Sequence, residues 1–202
     1  MKAATSASNP APVGRDQVTA SLLAATERLC ATGQPSSFTV RQIASEAQVT
    51  TSLLYFYFKS KEDIILATVQ SIASEIDGSL AGSDGVAAIA SAVSRALAER
   101  PAFPRLLAWF VLEGRSFAEL SDDPVLERLV SAFARDGAPD PGTDAGVIVT
   151  MLLGNALLGG AVNEGLERSS DDARLIQALD QTIAAVTSHR TTSPASHKPS
   201  QE

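Results

Sequence analysis

Between Thr39 and Lys61 the chain gathers side chains that recognise polar surfaces without reacting with them: Thr39, Arg41, Thr50, Thr51, Ser52, Tyr55, Tyr57 and Lys61. Hydroxyls, a guanidinium, phenols and an ammonium at this spacing donate hydrogen bonds and carry positive charge, but no nucleophile among them is paired with a base. The chemistry they can do is non-covalent, the holding of anionic oxygens and of heterocycle edges.

The rest of the chain argues against catalysis as well. Both histidines, His189 and His197, stand in a terminal stretch rich in Ser, Thr and Pro, so the folded part has no imidazole for a metal or a proton relay. Cys30 is the single cysteine and cannot close an intrachain disulfide or supply a Cys-rich zinc site. Phosphate-loop glycines are missing too. We expect no enzyme activity, no metal and no cofactor.

Short helices must position the polar cluster. Thr39 with Gln42 three residues on is a capping box for a helix through Ile43, Ala44 and Ala47. A turn follows at Gln48 and Val49. Thr50 caps a second helix through Leu53, Leu54 and Tyr55, and Ser60 with Asp63 starts a third. A strand over Leu54-Tyr55-Phe56-Tyr57-Phe58 is the rival, but no other window offers it a partner. By helical spacing Phe56 and Phe58 are assigned to the core. An earlier helix carries Val18, Leu22, Ala25 and Leu29 on one face and stops at Gly33 and Pro35.

Two short helices joined by a tight turn, the second opening on hydroxyls and followed by aromatics and lysines, form a helix-turn-helix pattern. At Thr39-Val40-Arg41-Gln42-Ile43-Ala44, Val49-Thr50 and Leu54-Tyr55-Phe56-Tyr57-Phe58-Lys59-Ser60-Lys61-Glu62 the sequence resembles the TetR family of transcriptional repressors, with the strong match over about 15–66. The resemblance implies that Arg41, Thr50, Thr51, Ser52 and Tyr55 approach bases while Thr39, Tyr57 and Lys61 hold the DNA backbone. Three positions depart from the family pattern: Tyr57 replaces a common His, Leu53 a Thr that contacts phosphate, and Gln48 the turn glycine. A positive φ at Gln48 would cost roughly 1 kcal/mol.

Beyond Ile64 the periodicity is helical throughout. Ile65, Val69, Ile72 and Ile76 form one stripe, and Val86, Ile89, Val93 and Leu97 form the next after the Gly82–Gly85 break. Leu106, Leu107 and Phe110 follow Pro101 and Pro104, and Leu126, Leu129, Val130 and Phe133 follow Pro124. A last helix carries Leu175, Leu179, Ile183 and Val186. The expected architecture is all-α, about nine helices: a tail over 1–14, a three-helix helix-turn-helix domain over 15–62, a helical ligand-binding and dimerisation domain over 63–188, and a second tail over 189–202.

Ala145 to Val162 has no charged residue and approaches the length of a membrane span. Asn155, four glycines and the lack of basic anchors favour a buried helix instead, and no membrane partner is expected. Val147, Met151, Gly154 and Leu158 follow an a/d-like spacing suited to a helix pair. The family resemblance implies a homodimer formed through the last two helices. It also implies a small, largely apolar effector enclosed by the middle helices, for which Phe103, Leu107, Phe110, Phe117, Met151 and Asn155 are the candidate lining.

Charge is divided along the chain. Its 202 residues carry a net −7, yet 1–62 hold six basic against four acidic side chains while 63–202 hold ten against nineteen. A uniformly basic nucleic-acid binder is excluded, and any DNA contact is local to the first segment. The first thirty residues hold no apolar run of signal-peptide length, so a cytoplasmic location is expected. The expected function is a ligand-released homodimeric repressor on a palindromic double-stranded operator. The alternative is a helical ligand-binding or interaction protein whose helix-turn-helix no longer reads DNA.

Overall fold

The computed structural model describes residues 14–115 and 124–165, with 177 and 181 as single helical positions. Those residues are all-α: α1 (Arg15–Thr32), a 3-10 turn (Pro35–Ser37), α2 (Val40–Glu46), α3 (Thr51–Tyr57), α4 (Lys61–Ser79), α5 (Val86–Glu99), α6 (Ala102–Leu112), α7 (Pro124–Arg135) and α8 (Pro141–Gly165). Phe117 and, apart from 177 and 181, the expected last helix lie outside the described residues.

Contacts divide the chain into two units. Among the described residues one holds 14–72 and 105–115, the other 73–104 and 124–165. The first unit thus takes α1 to α3, most of α4, and α6 from Arg105.

In the first unit α1 packs on α2, and α2 on α3. The α1 face is Val18, Leu22, Ala25 and Cys30, all buried, and Thr26 joins it by donating its hydroxyl to the Leu22 carbonyl at 2.9 Å. Ile43 and Ala44 from α2, Ala47 at its C-terminal cap, Leu54 from α3, Ile64, Ile65, Val69 and Ile72 from α4, and Leu106, Leu107 and Phe110 from α6 extend the core. Fully burying each Val, Leu or Ile among these stabilises by about 1.5–3 kcal/mol. The expected stripes of α1 and α4 are therefore the ones the fold buries, except that Leu29 is only half-buried.

Phe56 corrects its core assignment: it is 80% exposed, while Phe58 is half-buried. At about 100° per residue, Phe58 lies close to the buried Leu54 around the helix and Phe56 lies on the opposite side. With only seven residues, α3 has one inward face.

In the second unit α8 packs on α7 and α5. The core comprises Val86, Ile89, Val93 and Leu97 of α5, Val125, Leu129, Ala132 and Phe133 of α7, and Ala145, Ile148 and Leu152 of α8. Leu126 and Val130, expected on the α7 stripe, are half-buried at its margin. Asp140 caps α8, accepting the Thr143 amide at 3.1 Å and the Thr143 hydroxyl at 2.7 Å. An ion pair from Arg128 to Asp77 at 2.5 Å ties α7 to the end of α4, and one from Arg100 to Glu75 ties in the residue after α5.

The expectation that α8 is a buried helix also needs correction. It is long and apolar enough to cross a membrane, and only 22% of its apolar window is buried within the chain. Ala145, Ile148 and Leu152 face inward, whereas Val147, Leu157, Leu158 and Val162 are exposed. A Cβ built on Gly146, Gly154 or Gly160 would meet nothing within 4 Å.

Candidate nucleic-acid interface

Local hydrogen bonds set the geometry of the two short helices. The Thr39 hydroxyl accepts the Gln42 amide at 3.3 Å, and Gln42 Oε1 accepts the Thr39 amide at 2.8 Å, so the capping box forms as its spacing predicts. The end of α2 is closed by two backbone bonds, Gln48 N–H to Ser45 O at 3.1 Å and Val49 N–H to Ala44 O at 2.9 Å. This is the Schellman pattern, whose residue after the cap sits in the left-handed region. Gln48 occupies that place at φ 59°, the one non-glycine residue with positive φ among the described residues. The turn keeps its left-handed geometry without glycine.

Thr50 then caps α3, its hydroxyl accepting the Leu53 amide at 3.2 Å. Leu53 is half-buried. Two contacts hold α2 and α4 in place. Arg28 Nε of α1 donates to Glu46 Oε1 at 2.7 Å, an exposed pair of modest worth. The Lys61 ammonium of α4 donates to the Phe38 carbonyl at 2.5 Å and to that of Pro35. Ser60 Oγ accepts the Asp63 amide at 3.0 Å and starts α4.

The polar cluster is distributed over these elements. Arg41 projects from the first turn of α2 and is exposed, as are Thr39 just before it, Thr50 at the α3 cap, Ser52 and Tyr55. Thr51 and Tyr57 are half-buried. Lys61 is half-buried and turned onto the carbonyls before α2. Burial lowers its pKa, and the adjacent Glu62 carboxylate opposes that shift. The exposed side of α3 also carries Phe56, which the sequence assigned to the core, and just past the helix Lys59 is exposed. No carboxylate lies within α3.

The candidate effector residues fall in both units. Leu107 and Phe110 are buried in the first and Phe103 in the second, while Met151 and Asn155 are half-buried on α8. Trp109 Nε1 on α6 is buried with no hydrogen-bond partner among the described residues.

A capped seven-residue helix, a left-handed turn and a second capped seven-residue helix exposing hydroxyls and a phenol define a helix-turn-helix DNA-binding domain. Residues 22–68 match the family model of bacterial regulatory proteins, tetR family. No curated protein matches the sequence. Among solved structures, the chain is similar to a transcriptional regulator from Rhodococcus sp. Rha1, with a TM-score of 0.67 and 18% identity over 87% of this chain and 99% of that one. A TetR-family transcriptional regulator from Streptomyces coelicolor follows the same fold at TM-score 0.61 and 19% identity, covering 88% of this chain and 97% of the other. So does a TetR variant from Acinetobacter baumannii in complex with minocycline, at 0.57 and 19%, covering 88% and 98%. Residues 22–68 thus carry the DNA-binding domain type of bacterial regulatory proteins. That segment matches the tetR-family model, and the chain as a whole shares its fold with solved TetR-family regulators.

Proposed function

We propose that the chain is a homodimeric repressor that binds a palindromic operator and is released by a small, largely apolar effector. The observation that carries the DNA part is the exposed row Arg41, Thr50, Ser52 and Tyr55 on two capped helices, one of them free of carboxylates. Arg41, Thr50, Thr51, Ser52 and Tyr55 approach base edges, while Thr39 and Tyr57 meet the phosphates. Lys61 serves the phosphates only if it leaves the Phe38 and Pro35 carbonyls.

Dimerisation is supported by the open face of α8. Val147 and Leu158 are exposed, Met151 and Gly154 lie between them, and the glycines leave room for a second backbone. An apolar face of this kind, left uncovered, favours association. Pairing also brings two recognition helices to two half-sites of a palindrome.

The effector part is supported within the first unit by the apolar side chains Leu107 and Phe110 and by the Trp109 indole N–H, which a ligand acceptor can satisfy. Phe103, Met151 and Asn155 of the second unit, and Phe117 outside the described residues, are candidates by family resemblance alone. The minocycline complex shows that a protein of this fold holds a small molecule. Effector and operator affinities then oppose each other by linkage. Such a protein works in the cytoplasm, without catalysis and without a membrane.

Selection of operators from randomised duplexes, followed by release with small molecules, tests the proposal. An enriched palindrome that a ligand releases supports it. No enriched palindrome overturns it.

A further inference from the structure

Phe56 is 80% exposed, more than Tyr55 beside it at 54%. A single exposed apolar residue is ordinary on a protein surface. What sets this one apart is its place. Ser52 and Tyr55 lie on the same side of α3, away from the buried Leu54, and the exposed Lys59 follows two residues past the helix end. Its ring meets that of Tyr57 edge to face, with centroids 5.2 Å apart and planes at 87°. That contact braces the ring at one edge without covering it.

The occupant of this surface must tolerate a positively charged, hydroxyl-rich border and still offer something apolar. The helices and turn from Thr39 to Lys61 carry Arg41, Lys59 and Lys61 against Glu46 alone, and Glu46 is paired with Arg28. A polyanion fits that border. The major groove of DNA is the polyanionic surface that also presents an apolar group, the C5-methyl of thymine.

We infer that Phe56 determines operator sequence by packing on a thymine methyl in the major groove. This rests on the DNA-binding function proposed above and adds one specificity-determining contact to it.

The test uses the full chain and the operator enriched from randomised duplexes. Each thymine of a half-site is replaced in turn by uracil, which removes only the methyl, and Kd is measured for the wild type, Phe56→Ala and Phe56→Leu at fixed salt. At one thymine the wild type should lose about three- to fivefold in affinity, the worth of one buried methyl group. Phe56→Ala should bind the thymine and uracil forms of that site alike, and Phe56→Leu should keep part of the difference. Because Phe56 is exposed, Phe56→Ala should melt as the wild type does, which separates loss of contact from loss of fold.

If an operator is enriched but no uracil substitution distinguishes the wild type from Phe56→Ala, the inference is overturned while the DNA-binding proposal stands. If Phe56→Ala instead abolishes self-association and leaves methyl sensitivity intact, the ring serves a second copy and the inference is overturned. If no operator is enriched, both fall together.

Discussion

The Lys61 ammonium donates to the Phe38 carbonyl at 2.5 Å and stands 4.6 Å from the centroid of the Phe38 ring. It thereby fastens the start of α4 to the residue preceding the Thr39 cap of α2. A cation over an aromatic face with a carbonyl as acceptor is a stabilising arrangement. By family resemblance Lys61 was expected on the DNA backbone. The fold gives it a task inside the domain.

Lys61→Met keeps the aliphatic stem and removes the donors. We expect it to destabilise the domain by about 1–2 kcal/mol, the scale of a charge-assisted hydrogen bond at a half-exposed site. Chemical denaturation with DNA titration in parallel checks this. An unchanged midpoint with weakened DNA binding would return Lys61 to the phosphates.

At Gln48 the left-handed φ of 59° costs a side chain what glycine escapes. Gln48→Gly should therefore stabilise by up to about 1 kcal/mol, less the entropy glycine adds to the unfolded chain. The melting temperature should rise and the selected operator should stay the same. A lower melting temperature would mean that the Gln48 side chain outweighs its backbone strain.

Some of this was legible in the sequence and some was not, for physical reasons. Caps and turns are made by residues three to six apart, so Thr39 with Gln42, Thr50, and the turn at Gln48 could be read directly. Directions were harder. Phe56 and Phe58 are the same residue type two positions apart, and only the placement of Leu54 decides which faces in. The partners of Lys61 are backbone carbonyls, which no residue pattern reveals. Because α8 is uncharged all round between Ala145 and Val162, composition alone could not show which side the chain leaves uncovered.

Leu158 is 61% exposed on α8. Leu158→Glu puts a charge on the proposed subunit interface without disturbing the chain's own core, so the monomer should stay folded. Sedimentation should show a shift from dimer to monomer, with operator affinity falling at least tenfold. A variant that sediments as the wild type does would place the interface elsewhere.

Burial pushes the Cys30 thiol up from 9.0 to about 12, with the Lys61 ammonium opposing and Glu27 adding to the shift. Because the folded value lies above the unfolded one, the native state keeps a proton that the unfolded chain gives up. That contribution is complete below pH 9 and is lost as pH rises towards 12. Denaturation midpoints should fall over this window more steeply for the wild type than for Cys30→Ala. Native Cys30 should also resist alkylation at neutral pH. Rapid alkylation of the folded chain would contradict its burial.

Operator selection with the wild-type chain tests the central claim most directly. The account predicts a palindrome whose half-sites lie about 10 base pairs apart, or a multiple of that, with affinity that falls as salt rises. Tyr55→Ala and Arg41→Ala should each weaken binding to it by about tenfold. Enrichment of no palindrome, or binding that neither substitution alters, would contradict the claim that this helix-turn-helix reads DNA.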